Sequence, residues 1–176
     1  MRRFLGLLAV TGLALLGLAG VGSASSNLPN GSVLTGTGTN VSLGSFITCH
    51  TTVTATLFNR PVGQGVHVIL TAFTSAGCTP AGTTMVATGL PRTVETTGTT
   101  NGGQTWDGLV TGGNVDLNVL GVMCNFGGNL GVLYENSTMQ LTLTGALTRQ
   151  RGSSGLCPET GPVQGTYHIA PTLTIS

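Results

Sequence analysis

Between Ile47 and Leu57 the chain alternates without a lapse. Ile47, Cys49, Thr51, Val53, Ala55 and Leu57 fall on one side; Thr48, His50, Thr52, Thr54 and Thr56 fall on the other. A period of two with β-branched residues outside is the pattern of a half-buried strand, because an apolar helical face recurs every three to four residues instead. The same period returns at Val115, Leu117 and Val119, at Met139, Leu141 and Leu143, and at Tyr167, Ile169, Leu173 and Ile175. Residues 66–74 are apolar on both faces, as in a strand covered on both sides. No stretch carries a helical period. About ten short strands with Gly-rich turns point to an all-β domain, an antiparallel β-sandwich of immunoglobulin-like or jelly-roll type, with a closed β-barrel as the alternative. Residues 75–82 and 97–104 read as loops, and 167–175 as a central closing strand.

The chain has four cysteines, Cys49, Cys78, Cys124 and Cys157. None lies in a Cys-x-x-Cys pair, so a structural zinc site is disfavoured and two disulfides are expected. Three connectivities are available. The plan of residues 113–157, a cysteine-bearing strand, a Gly-rich turn, returning strands and a second cysteine, repeats that of residues 43–78. This internal duplication favours Cys49–Cys78 and Cys124–Cys157, each closing a loop of about 30 residues and contributing roughly 3–4 kcal/mol on a chain-entropy account.

Residues 1–24 have the layout of a secretory signal peptide: Arg2 and Arg3, an apolar run through Leu18, then small residues ending at Ala24. What remains, 25–176, is the length of one domain. Four arginines (Arg60, Arg92, Arg149, Arg151) then stand against five acids (Asp107, Asp116, Glu95, Glu135, Glu159), a formal charge of −1 with no lysine. That excludes the cationic face a nucleic-acid partner requires. The charged fraction of only 6% leaves solubility to Thr, Ser and Asn side chains. No later segment is apolar enough for a transmembrane helix. Leu90-Pro91-Arg92-Thr93 opens like a sortase signal, but Val94 stands where that signal has Gly and no apolar tail follows. The expected location is extracellular or cell-envelope associated.

Several local strings resemble those of small secreted four-cysteine β-proteins of actinobacteria. They are Ile47-Thr48-Cys49, Ser75-Ala76-Gly77-Cys78, Gly89-Leu90-Pro91, the strands of Cys124 and Tyr134, and the closing Gly165-Thr166-Tyr167 with Pro171 and Leu173-Thr174-Ile175. The resemblance spans about three-quarters of the chain and implies an extracellular, disulfide-stapled domain. It supplies no activity and no functional residues.

Catalytic strings are absent: no Gly-x-Ser-x-Gly, no P-loop and no Gly-x-Gly-x-x-Gly occurs. Three histidines, His50, His67 and His168, fall on three predicted strands, and their convergence would make an open metal site. Asp107 and Asp116 flank a Gly-rich tract and would serve glycoside hydrolysis if brought within about 5–10 Å. Both patterns are weak, and a hydrolase with a His- or Asp-based site is the third choice. No catalytic residue, cofactor or metal is expected. Trp106, Asp107 and Tyr134 are candidate ligand-binding residues, because an exposed indole stacks on sugar CH groups; Tyr167 and Phe58 are lesser candidates. The run 115–126 is β-prone with one charge and would self-assemble if uncovered, although a buried central strand is the plainer reading. The expected function is a non-catalytic exported structural or binding domain that meets cell-wall polysaccharide or surface proteins. The alternative is a carbohydrate-binding module built on Trp106.

Overall fold

Alternation of inward apolar and outward hydroxyl side chains carries through the whole computed structural model, which describes residues 25–45, 47–61 and 63–176. The segment 1–24, read above as a signal peptide, lies outside the described residues. Nine strands are formed among those described: β1 (Val33–Leu43), β2 (Ile47–Asn59), β3 (Val66–Thr79), β4 (Thr84–Thr88), β5 (Arg92–Thr100), β6 (Thr105–Val119), β7 (Val122–Glu135), β8 (Gln140–Arg149) and β9 (Thr160–Ala170).

Eight of them close into an antiparallel barrel in the order β1-β2-β3-β5-β6-β7-β8-β9, with β9 pairing back onto β1 and β6 pairing with β7. The expected β-sandwich is therefore not what forms. A sandwich needs two sheets with free edges, whereas here each of the eight strands has a partner on both sides. The inward–outward alternation of a strand is the same in both architectures, so closure is decided by register, which alternation does not encode.

Strand β4 lies outside the ring. It pairs with the far half of β6 (Thr84 with Asn118 through Thr88 with Asn114), while β5 pairs with the near half of the same edge (Val94 with Val110 through Thr100 with Thr105). β4 and β5 thus follow one another along β6, interrupted at residues 89–91. On its other side β4 faces β3, where the Ser75 hydroxyl donates to Met85 O (2.6 Å) and accepts from Met85 N (3.3 Å).

Four expected loops, turns or strands take other forms. Residues 75–79 belong to β3 and 97–100 to β5, leaving a short 3₁₀ turn, Asn101–Gly103, before β6. The Gly112-Gly113 tract is a register shift inside one long strand, between Val110 and Gly113 on β6. The chain after Ala170 leaves the sheet, so residues 171–176 are no closing strand. They cross one mouth of the barrel, with Leu173 and Ile175 buried at 3% exposure each. The run 115–126 is the β6–β7 hairpin: residues 115–118 are paired on both sides, by β4 and β7, residues 122–125 pair in register with β6, and Phe126 also meets Arg149 of β8.

The disulfides join Cys49 to Cys78 and Cys124 to Cys157. The first links β2 to the end of β3; the second links β7 to the β8–β9 connection. All four cysteines pack into one apolar cluster with Leu43, Ile47, Leu117, Phe126 and Leu147. A second cluster, around Leu34, Leu57, Trp106, Tyr134, Tyr167 and the tail residues Leu173 and Ile175, fills the opposite end. Outside, Thr52, Thr54, Gln140, Thr142, Thr144, Thr166 and His168 alternate with these inward positions. That sense, apolar within and polar without, is the reverse of a transmembrane barrel. Among the described residues, no helix is long and apolar enough to cross a membrane.

Candidate functional site

An eight-stranded barrel encloses a space that side chains fill or that holds one small ligand. Here a cavity of about 180 Å³ remains between the two apolar clusters. Its wall is built from alternate residues of the strands, among them Val53 and Ala55 of β2, Val94 of β5, Trp106 and Val110 of β6, and Val132 of β7. Inward glycines set its width. A Cβ on Gly38 would lie 2.8 Å from Val41 Cγ2 and 3.0 Å from the Tyr167 ring, so glycine there lets Tyr167 lie across the lumen.

Trp106 is 3% exposed and Tyr134 4%. They are cross-strand partners on β6 and β7. Trp106 Nε1 donates to Gly103 O (3.0 Å) and Ile175 O (3.3 Å), and Tyr134 Oη donates to Leu173 O (2.6 Å). The two aromatics therefore line the lumen and hold the tail across its mouth. A sugar ring in solvent has no access to the indole face, which corrects the expected exposed platform at Trp106. Asp107, between them in sequence, points to the other side of β6, half-buried and paired in register with Leu133 and Gly98. Burial pushes the Tyr134 phenol up to about 12. Burial likewise raises Tyr167, and the hydroxyl of Thr51, donating to Tyr167 Oη at 3.0 Å, pulls it partly back.

The remaining sequence candidates do not assemble. His50, His67 and His168 occupy β2, β3 and β9. His67 packs against Phe58 with ring centroids 6.0 Å apart, and its Nδ1 lies 3.6 Å from Glu95 Oε1, which also meets Arg60 Nη2 at 3.4 Å. Among the described residues, no group of three or more His, Cys, Asp or Glu is placed to hold a metal ion. Asp107 and Asp116 both lie on β6, nine residues apart along one strand. At about 3.3 Å per residue they are separated by roughly 25–30 Å, far beyond the reach of a glycosidase pair.

One charged residue borders the lumen, half-buried at the start of β5. Arg92 is the only charged side chain lining the cavity among the described residues. Alternation along β5 carried the signal, since Arg92, Val94 and Thr96 share a face. No protein-family model, curated protein or solved structure matches the chain. Fold and site together define the class: a small closed β-barrel, clipped by two disulfides, with an apolar lumen.

Proposed function

We propose that the protein is an exported, non-catalytic binding domain whose working part is the barrel lumen, and that it takes one small apolar molecule there. The cavity of about 180 Å³ carries the reading. An engineered apolar cavity of about 150 Å³ stays dry and binds benzene, whereas sites for drug-sized ligands span roughly 300–1,000 Å³. The occupant is therefore of single-ring or short-chain size. Two disulfides suit an oxidising, extracellular setting, and the hydroxyl-rich exterior suits water.

Trp106 is the only tryptophan in the chain and lines the cavity, so its emission reports occupancy. Titration with bromobenzene should quench it saturably with one site per chain. Ala55→Phe, placed in the lumen, should abolish the quenching while far-ultraviolet circular dichroism stays unchanged; Ala55→Leu serves if the larger side chain prevents folding. A linear response equal to that of free tryptophan amide would overturn the reading.

A further inference from the structure

Outward apolar side chains gather at the base of the barrel, the end that both disulfides clip. The two most exposed large apolar residues among those described are Leu156, at 81%, and Leu120, at 71%, and Met123 is 48% exposed. Leu120 and Gly121 form the two-residue turn between β6 and β7, flanked by the cross-strand pair Val119 and Val122. Met123 follows on β7 with its side chain outside, since its neighbour Cys124 faces in. Leu156 belongs to the β8–β9 connection, which is strapped to the same strand: Ser154 N donates to Met123 O (3.0 Å), and Cys157 is joined to Cys124. The β3–β4 turn borders them, because a Cβ on Gly82 would lie 3.5 Å from Leu120 Cδ2. Three turns thus present one apolar tip.

Leu120 is doubly unfavourable in the free protein. Its φ is +52°, and that of Gly121 is +90°. A turn with positive φ at both central positions favours Asn-Gly, because asparagine tolerates the left-handed region and a bulky side chain does not. The turn is held firm all the same, with Asn118 Oδ1 accepting from Gly121 N at 2.8 Å. The chain keeps an apolar side chain in water at a strained position, and such outliers gather where a function requires them.

Size decides the partner. Leu120, Met123 and Leu156 together expose roughly 400 Å², about half of the ~800 Å² that each side gives to a standard protein interface. That is too little to hold a second copy of the chain, whereas a lipid surface takes up protruding side chains one at a time. Arg151 and Glu159, both exposed on the β8–β9 connection, offset each other, so apolar area rather than charge drives the contact.

We infer that the base is a peripheral membrane-docking surface. The side chains of Leu120, Met123 and Leu156 enter the outer part of a lipid layer, and the barrel stands on it with the tail-covered mouth turned away. The three supply about a dozen aliphatic carbon and sulfur atoms, somewhat fewer than the roughly 14 carbons of a myristoyl chain, which alone binds with a constant of about 10⁴ M⁻¹. Docking is therefore weak and reversible, half-complete at about 0.1–1 mM lipid. It is independent of what the lumen holds.

The test uses protein collected from the medium without residues 1–24, as its intact mass verifies, and vesicles of phosphatidylcholine. Flotation should carry at least half of the wild type at about 1 mM lipid, and about 0.5 M salt should leave that fraction unchanged. Leu120→Asn puts the favoured residue in the turn, so its Tm should equal or exceed that of wild type while lipid affinity falls about ten-fold. Adding Leu156→Ser should abolish flotation. Acyl-brominated vesicles should leave Trp106 emission unquenched, because Trp106 stands 14 residues before Leu120, roughly 45 Å of strand. Wild type that stays in the aqueous phase up to about 5 mM lipid overturns the proposal, as does flotation retained by the double variant, or quenching of Trp106. A wild-type dimer that the double variant lacks assigns the tip to a second copy instead, and overturns it too.

Discussion

Replacing Tyr134 by Phe isolates the contact that seats the C-terminal tail. The ring stays, so the apolar area buried between β6 and β7 is retained. What is lost is one hydrogen bond of 2.6 Å from Tyr134 Oη to Leu173 O. A neutral hydrogen bond contributes about 1 kcal/mol net, and a buried carbonyl left without a partner costs about 1–3 kcal/mol more in lost solvation. Leu173 is 3% exposed, so its carbonyl gains little water in exchange. The expected loss is about 2 kcal/mol, or about 4–8 °C in Tm for a chain of this size. Calorimetry of wild type and Tyr134→Phe at neutral pH measures it. Alkaline pH supplies an independent arm. The Tyr134 phenol is raised from 10.0 to about 12 in the folded protein, so the unfolded chain releases that proton first. The contribution is complete below pH 10 and is lost as pH climbs through about 12. Tyr134→Phe should therefore lose less stability than wild type over that window. A Tm within 1 °C of wild type, with the same alkaline slope, would mean that the hydroxyl is already solvated and that the tail does not seal this mouth.

Other perturbations test other parts of the wall. Replacing Cys124 and Cys157 together by Ser, which opens a loop with a sequence separation of 33, should lower unfolding free energy by roughly 3–4 kcal/mol in urea titration; an unchanged midpoint would refute it. Gly65→Ala should be destabilising by more than 1 kcal/mol, because Gly65 has φ +68° and a Cβ there would lie 2.7 Å from Thr96 Cβ and 2.9 Å from Trp106 Cζ3. Gly63→Ala, with φ +82° and open space around it, should show only the backbone penalty; equal losses at both glycines would remove the packing argument. Removing residues 171–176 should red-shift Trp106 emission and lower the yield of folded protein, and an emission maximum like that of wild type would refute the burial of Trp106 beneath the tail.

Much of the wall was legible in the sequence. The inward set Ile47, Cys49, Thr51, Val53, Ala55 and Leu57 was readable from alternation alone, and four cysteines in a chain with a leader-like start pointed to the two disulfides that form. Closure was not legible, because the decisive pairings join residues far apart in sequence, such as Thr37 with His168 and Gly38 with Tyr167. Glycines misled as punctuation. Gly112 and Gly113 look like a turn, yet they sit in a strand whose neighbour changes from β5 to β4 at that point. Alternation marks Trp106 as facing one side of β6, but it does not say whether that side is sealed. The tail that seals it arrives from residues 173–175, paired to nothing that a local pattern reveals.

Because both covalent clips sit in one apolar cluster, the barrel is mechanically lopsided. One end is a fixed base. At the other, residues 171–176 carry no covalent clip and are held by the packing of Leu173 and Ile175 and by hydrogen bonds from Trp106, Tyr134, Asn136 and the segment at Ser25–Asn27. Thermal fluctuation concentrates where restraint is weakest, so amide exchange should grade along the barrel axis, slow near Cys49 and Cys124 and fast near the tail. A molecule held in the lumen, as proposed above, would come and go through local loosening of the tail end. Its residence time is then insensitive to the redox state of the base, and sensitive to each bond that pins the tail.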